Sequence, residues 1–217
     1  MNKKIKVLFL SASPKDKTPV SWGLEHDRIQ KAIKRGKYHA QFSSFASFTT
    51  APTDFRELLT DYKPDVVHFC GHGDRHEGLI FQNARGFSQP INDRALAEIF
   101  SRNRSVRLVF LNACYSAKQA AVLSTTVDFI IGSTAAILDD RATDFASRVY
   151  EELANGNLIN KAFRAGRAET AAQHLARITI LQTRNGVSSA QPLVSRYLEE
   201  MYKSDKRAAA ILRRKTS

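Results

Sequence analysis

The sequence is poor in cysteine, with only Cys70 and Cys114 in 217 residues. Two thiols cannot build a disulfide framework or a four-cysteine zinc site. A reducing cytoplasm is the simplest home for such a chain. Long apolar runs are also missing. Runs such as residues 7–10 and 129–131 fall far short of the roughly 18 residues a membrane helix needs, so no membrane span is expected. The apolar stretch after Met1-Asn2-Lys3-Lys4 is too short for a secretory signal. Ser11-Ala12-Ser13-Pro14-Lys15 contains no glycine, which argues against a phosphate-binding turn of the flavodoxin or receiver type. The one pair of histidines four apart with a carboxylate between them, His72 and His76 around Asp74, lies in a glycine-flanked turn and not on a helix, so neither a metal nor another cofactor is expected. There is no internal repeat, no low-complexity linker and no basic motif interleaved with aromatics.

What remains is an ordinary globular composition on a chain long enough for one large domain. Lysine and arginine exceed the acids by 33 to 21, giving +12. Residues 203–217, KSDKRAAAILRRKTS, hold six basic residues and one acid, so five of those charges sit in the last fifteen positions. We read residues 1–202 as one domain and 203–217 as a solubilising basic tail. Nucleic acid is expected at most weakly, through that tail.

Residues 5–11 (IKVLFLS), 65–70 (DVVHFC), 106–111 (VRLVFL) and 127–132 (VDFIIG) are short runs apolar on both faces, as in central parallel strands. Residues 39–47 alternate and predict an edge strand. Helices are predicted over 22–35 (apolar at Trp22, Leu24, Ile29 and Ile33, ending at Gly36), to 59 from a Thr53-Asp54 cap, to 100 from Asn92-Asp93, and over 116–124, 139–154 and 158–175. Residues 77–82 fit a hairpin arm with 83–89 as its turn. Residues 177–182 and 191–202 fit helix or strand equally. Strands alternating with helices predict a mostly parallel α/β sheet covered on both faces, with right-handed crossovers.

Ligands bind such sheets beyond the carboxyl ends of the strands. His72, in Gly71-His72-Gly73, follows the third strand. Cys114, in Asn112-Ala113-Cys114-Tyr115-Ser116, follows the fourth. Neighbouring strands lie about 4.8 Å apart, so an imidazole base and a thiol nucleophile could face one another there. Gly71 and Gly73 permit a tight turn with N–H groups presented. The N–H groups of Gly73 and Cys114 are the natural pair for a developing oxyanion. A helix starting just after Cys114 would favour its thiolate. Cys70 and His68, inside a strand, read as core residues, as does Trp22. His76 reads as an exposed loop residue. His26, His39 and His174 carry no recognisable spacing. Asn112 reads as a loop-positioning residue without a catalytic role.

The segments DVVHFCGHGD (65–74) and LVFLNACYSA (108–117) resemble the paired signatures of caspase-like, clan CD cysteine peptidases, and among them the bacterial CHAT domain family. IKVLFLSASP and VDFIIGSTAAILDDRATDFASRVYEEL resemble CHAT domains too, so the likeness spans about residues 4 to 170. The resemblance implies a caspase-like three-layer sandwich and a cysteine endopeptidase. His72 would be general base and acid, Cys114 the nucleophile of a thioester acyl-enzyme, and Gly73 with Cys114 the oxyanion donors. It implies a protein substrate and a role in bacterial defence or regulated proteolysis, with any sensor or activator on a separate chain. Relatives that cut after Arg or Lys use an acidic primary pocket, for which Asp16, Asp74, Asp139 and Asp140 are the candidates. Asp139 or Asp140 fits a helix N-cap equally. The alternative is a catalytically silent caspase-like module that binds a partner.

Overall fold

The computed structural model describes residues 4–48, 50–137, 139–171, 175–188 and 193. The basic tail at 203–217, the segment 191–202 apart from Leu193, and His174 lie outside the described residues.

Four strands form the centre of a parallel sheet: β1 (Ile5–Ser11), β3 (Val66–Cys70), β7 (Leu108–Asn112) and β8 (Phe129–Ser133). The edge strands are β2 (Phe42–Phe48), parallel to β1, and β9 (Thr179–Thr183), antiparallel to β8. The full order is β2-β1-β3-β7-β8-β9. Side chains alternate across the sheet. Val7, Phe9, Val66 and Phe110 face a core completed by helices α1 (Trp22–Arg35), α5 (Asp139–Ala154) and α6 (Ile159–Glu169). Leu8, Leu10, Val67 and Leu111 face the other core, with α2 (Pro52–Tyr62), α3 (Asp93–Ser101) and α4 (Ala117–Leu123). The result is the expected helix–sheet–helix sandwich, mostly parallel. A smaller antiparallel sheet of β4 (His72–Asp74), β5 (Gly78–Gln82) and β6 (Ser88–Ile91) rises from the end of β3.

Helix α1 runs to Arg35 with Gly36 as its C-cap, as expected. Its buried stripe differs, however. Leu24 is 49% exposed, whereas Glu25 is buried together with Ile29, Ala32 and Ile33. Residues 39–41 form a single 3-10 turn, so β2 starts later than the alternation suggested. Helix α2 starts at Pro52, and Asp54 acts from inside it, its carboxylate accepting the Ala51 N–H at 3.1 Å. Helix α6 ends at Glu169, and the ambiguous segment near 177–182 splits into α7 (Leu175–Ile178) and β9.

Candidate active site

The site forms where β3 and β7 end side by side. Their register pairs Cys70 with Asn112, and the Gly71 N–H donates to the Asn112 carbonyl at 3.2 Å. His72 and Cys114 each lie two residues further on. Beyond that point the chains stay in contact. A Cβ placed on Gly73 would overlap the carbonyl oxygen of Cys114 and stand 3.3 Å from the Ala113 Cβ. Only glycine permits this approach at position 73. His72 thus belongs to β4 rather than to a loop, and β4 lies directly against the Cys114 backbone.

The His72 Nε2 lies 2.8 Å from the Thr18 carbonyl oxygen. A carbonyl can only accept, so Nε2 carries the hydrogen and Nδ1 of the neutral ring is left as the basic nitrogen. Thr18 lies between β1 and α1, and it contributes its backbone carbonyl, not its side chain. Asp74, two residues after His72, accepts the N–H groups of His76 (2.7 Å) and Glu77 (3.0 Å). Those two amide bonds hold its carboxyl below the usual range.

Cys114 is half-buried. The Ile137 N–H is directed at its Sγ from 3.4 Å. The following residue, Tyr115, has φ +54°, a left-handed conformation costing on the order of 1–3 kcal/mol for a non-glycine residue. The surrounding structure holds it there. The Tyr115 N–H donates to Ala135 O (3.3 Å), and the fully buried Ser116 Oγ accepts the Ser133 N–H (3.0 Å). The Arg75 guanidinium stacks over the Tyr115 ring at 4.4 Å, linking the histidine and cysteine segments. Helix α4 starts three residues after Cys114 and has only seven residues. The expected helix-terminus contribution at the sulfur is correspondingly small.

Beside Cys114 opens a narrow pocket of about 30 Å³, lined by Val20, Glu25, Cys70, Asn112, Ile137 and Thr143 among others. That is room for roughly one water. Its polar lining is a network the sequence reading did not anticipate. Glu25 Oε1 accepts from Asn112 Nδ2 (2.6 Å) and from His68 Nε2 (2.9 Å), and the Tyr150 hydroxyl lies 3.3 Å from His68 Nδ1. Burial, together with the Glu25 charge, pushes Tyr150 strongly up, so it remains a phenol and donates. His68 is fully buried and stacked between Phe9 (4.8 Å) and Phe110 (4.9 Å). Cys70 is buried, as expected, yet reaches this pocket.

The other carboxylates lie elsewhere. Asp16 accepts the Ser88 N–H at 2.8 Å, Asp74 closes its own turn, and the Asp140 side chain is largely exposed beside Arg141. Asp139 starts α5. Asp16, Asp74 and Asp140 are not among the described residues lining the Cys114 pocket. A larger groove of about 500 Å³ on the outer face of α1 and α5 is lined by mutually paired charges, including Arg28–Asp144 and Arg35–Glu151. Among the described residues, no three His, Cys, Asp or Glu side chains gather as for a metal ion, and no helix is long and apolar enough to cross a membrane.

Comparison with known proteins matches residues 9–194 to the model of the CHAT domain. Curated relatives include a probable protease of Gillisia limnaea, 24% identical over 69% of this chain and 27% of its own length. A Roc-COR-CHAT protease of Runella zeae is 26% identical over 71% of this chain and 16% of its own. The chain therefore spans only about a sixth to a quarter of these relatives. Among solved structures, a secreted C11 cysteine protease from Bacteroides thetaiotaomicron in complex with an irreversible peptide inhibitor superposes with a TM-score of 0.55 at 13% identity, covering 88% of this chain and 64% of that one. The Arg-specific cysteine proteinase gingipain R gives a TM-score of 0.52 at 13% identity, covering 78% and 43%. The sandwich is thus the caspase-like fold.

Proposed function

Since the chain belongs to the CHAT domain family, we propose that it is a cysteine endopeptidase acting on a protein substrate, with His72 and Cys114 as its dyad. The observation that carries this reading is the contact of Gly73 with the Cys114 carbonyl, at two strand ends in register. It sets the imidazole-bearing and thiol-bearing residues on adjacent backbones. In this reading, His72 Nδ1 takes the Cys114 proton while Thr18 O holds the ring through Nε2–H. The sulfur attacks the scissile carbonyl, and the Gly73 and Cys114 N–H groups receive the oxyanion. Collapse expels the amine, which takes its proton from His72, and leaves a thioester. Water, deprotonated by the same imidazole, then releases the acid and the free thiol.

Substrate contact by Asp16, Asp74, Asp139 or Asp140 belongs to the same proposal at the outer rim. D16A and D140A, assayed on Arg- and Asp-terminated peptides, test the rim; unchanged selectivity in both removes it. A place in bacterial defence or regulated proteolysis in the cytoplasm, with any sensor or activator on a separate chain, belongs to the same proposal; in the Roc-COR-CHAT relatives the matched part is about a sixth of a longer protease. The test is profiling of new protein N-termini in cells expressing wild type, Cys114→Ala or His72→Ala. Cleavages present only with wild type are expected. Identical profiles from all three would refute the enzyme reading and leave the partner-binding module.

A further inference from the structure

Glu25 makes no contact that the proposed chemistry uses, yet it is an acid 97% buried in an otherwise apolar stripe of α1. Burying a carboxylate is costly unless donors meet it. Here both donors fall on one oxygen, from Asn112 Nδ2 and His68 Nε2. The proton directions are mutually consistent. Tyr150 O–H donates to His68 Nδ1, His68 Nε2–H to Glu25, and Asn112 Nδ2–H to the same oxygen. The ring of His68 cannot turn, because Phe9 and Phe110 stack on its two faces in the register of β1, β3 and β7. The carboxylate is therefore held by the core, and it holds Asn112.

Asn112 is the last residue of β7, two before Cys114. On the far side, the Cys114 segment is held by Ser116 and by the Tyr115 N–H. On the near side, the Asn112 carbonyl takes the Gly71 N–H, and its side chain is fixed by Glu25 alone among the described residues. We infer that Glu25 is a positioning residue that, through Asn112, keeps the Cys114 sulfur in register with His72. Glu25 does not act as a receptor for a substrate cation. Its bonded oxygen is already doubly engaged, and the pocket in front of it has room for about one water.

This inference rests on Cys114 being the nucleophile, and its test separates the two claims. The full chain is compared as wild type, N112A, E25A, E25Q and E25A/N112A, with H72A as control. Two readouts are taken: the second-order rate of Cys114 alkylation by iodoacetamide, read by intact mass, and kcat and KM on the best-cut member of a fluorogenic tetrapeptide library. N112A and E25A should lose about 10- to 100-fold in kcat with KM within threefold. The double variant should lose no more than the worse single one. E25Q, whose amide oxygen keeps both acceptor positions, should lose no more than about threefold. Folded N112A with wild-type kcat, or a loss confined to KM, overturns the inference, and N112A with E25Q decides it even where E25A does not fold. If wild type cuts no peptide and H72A is alkylated like wild type, the peptidase reading fails instead. If wild type cuts no peptide but H72A is alkylated more slowly than wild type, the alkylation rates alone judge the positioning claim, with a tenfold drop in N112A expected and no drop refuting it.

Discussion

Gly73→Ala is the sharpest perturbation of this site. The added methyl meets backbone, the Cys114 carbonyl, and not the movable end of a side chain. To restore ordinary contact at about 3.5 Å, the β4 strand and the Cys114 segment must part by on the order of 1 Å. Overpacking of this kind costs about 1–3 kcal/mol, and for a chain of this size each kcal/mol lowers Tm by roughly 2–4 °C. A displacement of about 1 Å between reacting groups costs on the order of 100-fold in rate. The expected signature is therefore a folded protein, melting several degrees lower, with kcat/KM reduced far beyond what its folded fraction explains. Gly23→Ala is the control. Nothing lies within 4 Å of a Cβ at that helical position, so the change should be neutral or stabilise by up to about 1 kcal/mol. Differential scanning calorimetry and peptide hydrolysis on the three proteins suffice. A G73A enzyme with wild-type kcat/KM and wild-type Tm would refute the close approach on which the dyad depends.

Removing the Ser116 hydroxyl strands the buried Ser133 N–H. Ser116→Ala should cost about 1–3 kcal/mol, seen as a lowered urea midpoint, and an unchanged midpoint would contradict this anchoring of the Cys114 segment. Asn92→Ala removes the side-chain acceptor of the Ala95 N–H at the start of α3 and should cost about 0.5–2 kcal/mol while leaving kcat alone. A pH dependence follows from His26, whose ring meets Phe9 and Phe48 edge-on. Burial lowers its pKa from 6.5. The folded state thus resists a proton that the unfolded chain accepts, so this contribution is full above about pH 6.5 and is lost as pH falls below it. Denaturant midpoints of His26→Gln should vary less than those of wild type between pH 7 and 5, and parallel curves would remove His26 as the cause. Glu151, held low by the Arg35 guanidinium, should add its own loss only at more acid pH.

The central strands and α1 were legible because burial on both faces writes apolar runs, and because Gly36 stops a helix with visible spacing. The positions of His72 and Cys114 at neighbouring strand ends followed from the same alternation. Strand β4 was not legible. Three residues, one of them glycine, show no alternation, and what makes them a strand is pairing with β5. Thr18 was beyond reach in principle, since its contribution is a backbone carbonyl that any residue could supply. Glu25 did leave a signal: an acid four residues before Ile29 and eight before Ile33, on the apolar stripe. Leu24 drew attention away from it, although its side chain points outward. The acidic candidates Asp16 and Asp74 were conspicuous in sequence because they flank strand ends, where carboxylates commonly cap turns, as Asp74 does. The direction of β9 was hidden by the four-residue helix immediately before it.

The most direct test of the whole account is covalent capture of the sulfur. The protein is incubated with a peptidyl acyloxymethyl ketone and its intact mass and modified peptide are read. A single adduct on Cys114, formed by wild type, slowed at least tenfold in His72→Ala and absent in Cys114→Ala, is predicted. Labelling of Cys70 in place of Cys114, or a Cys114 rate that ignores the loss of His72, would contradict it.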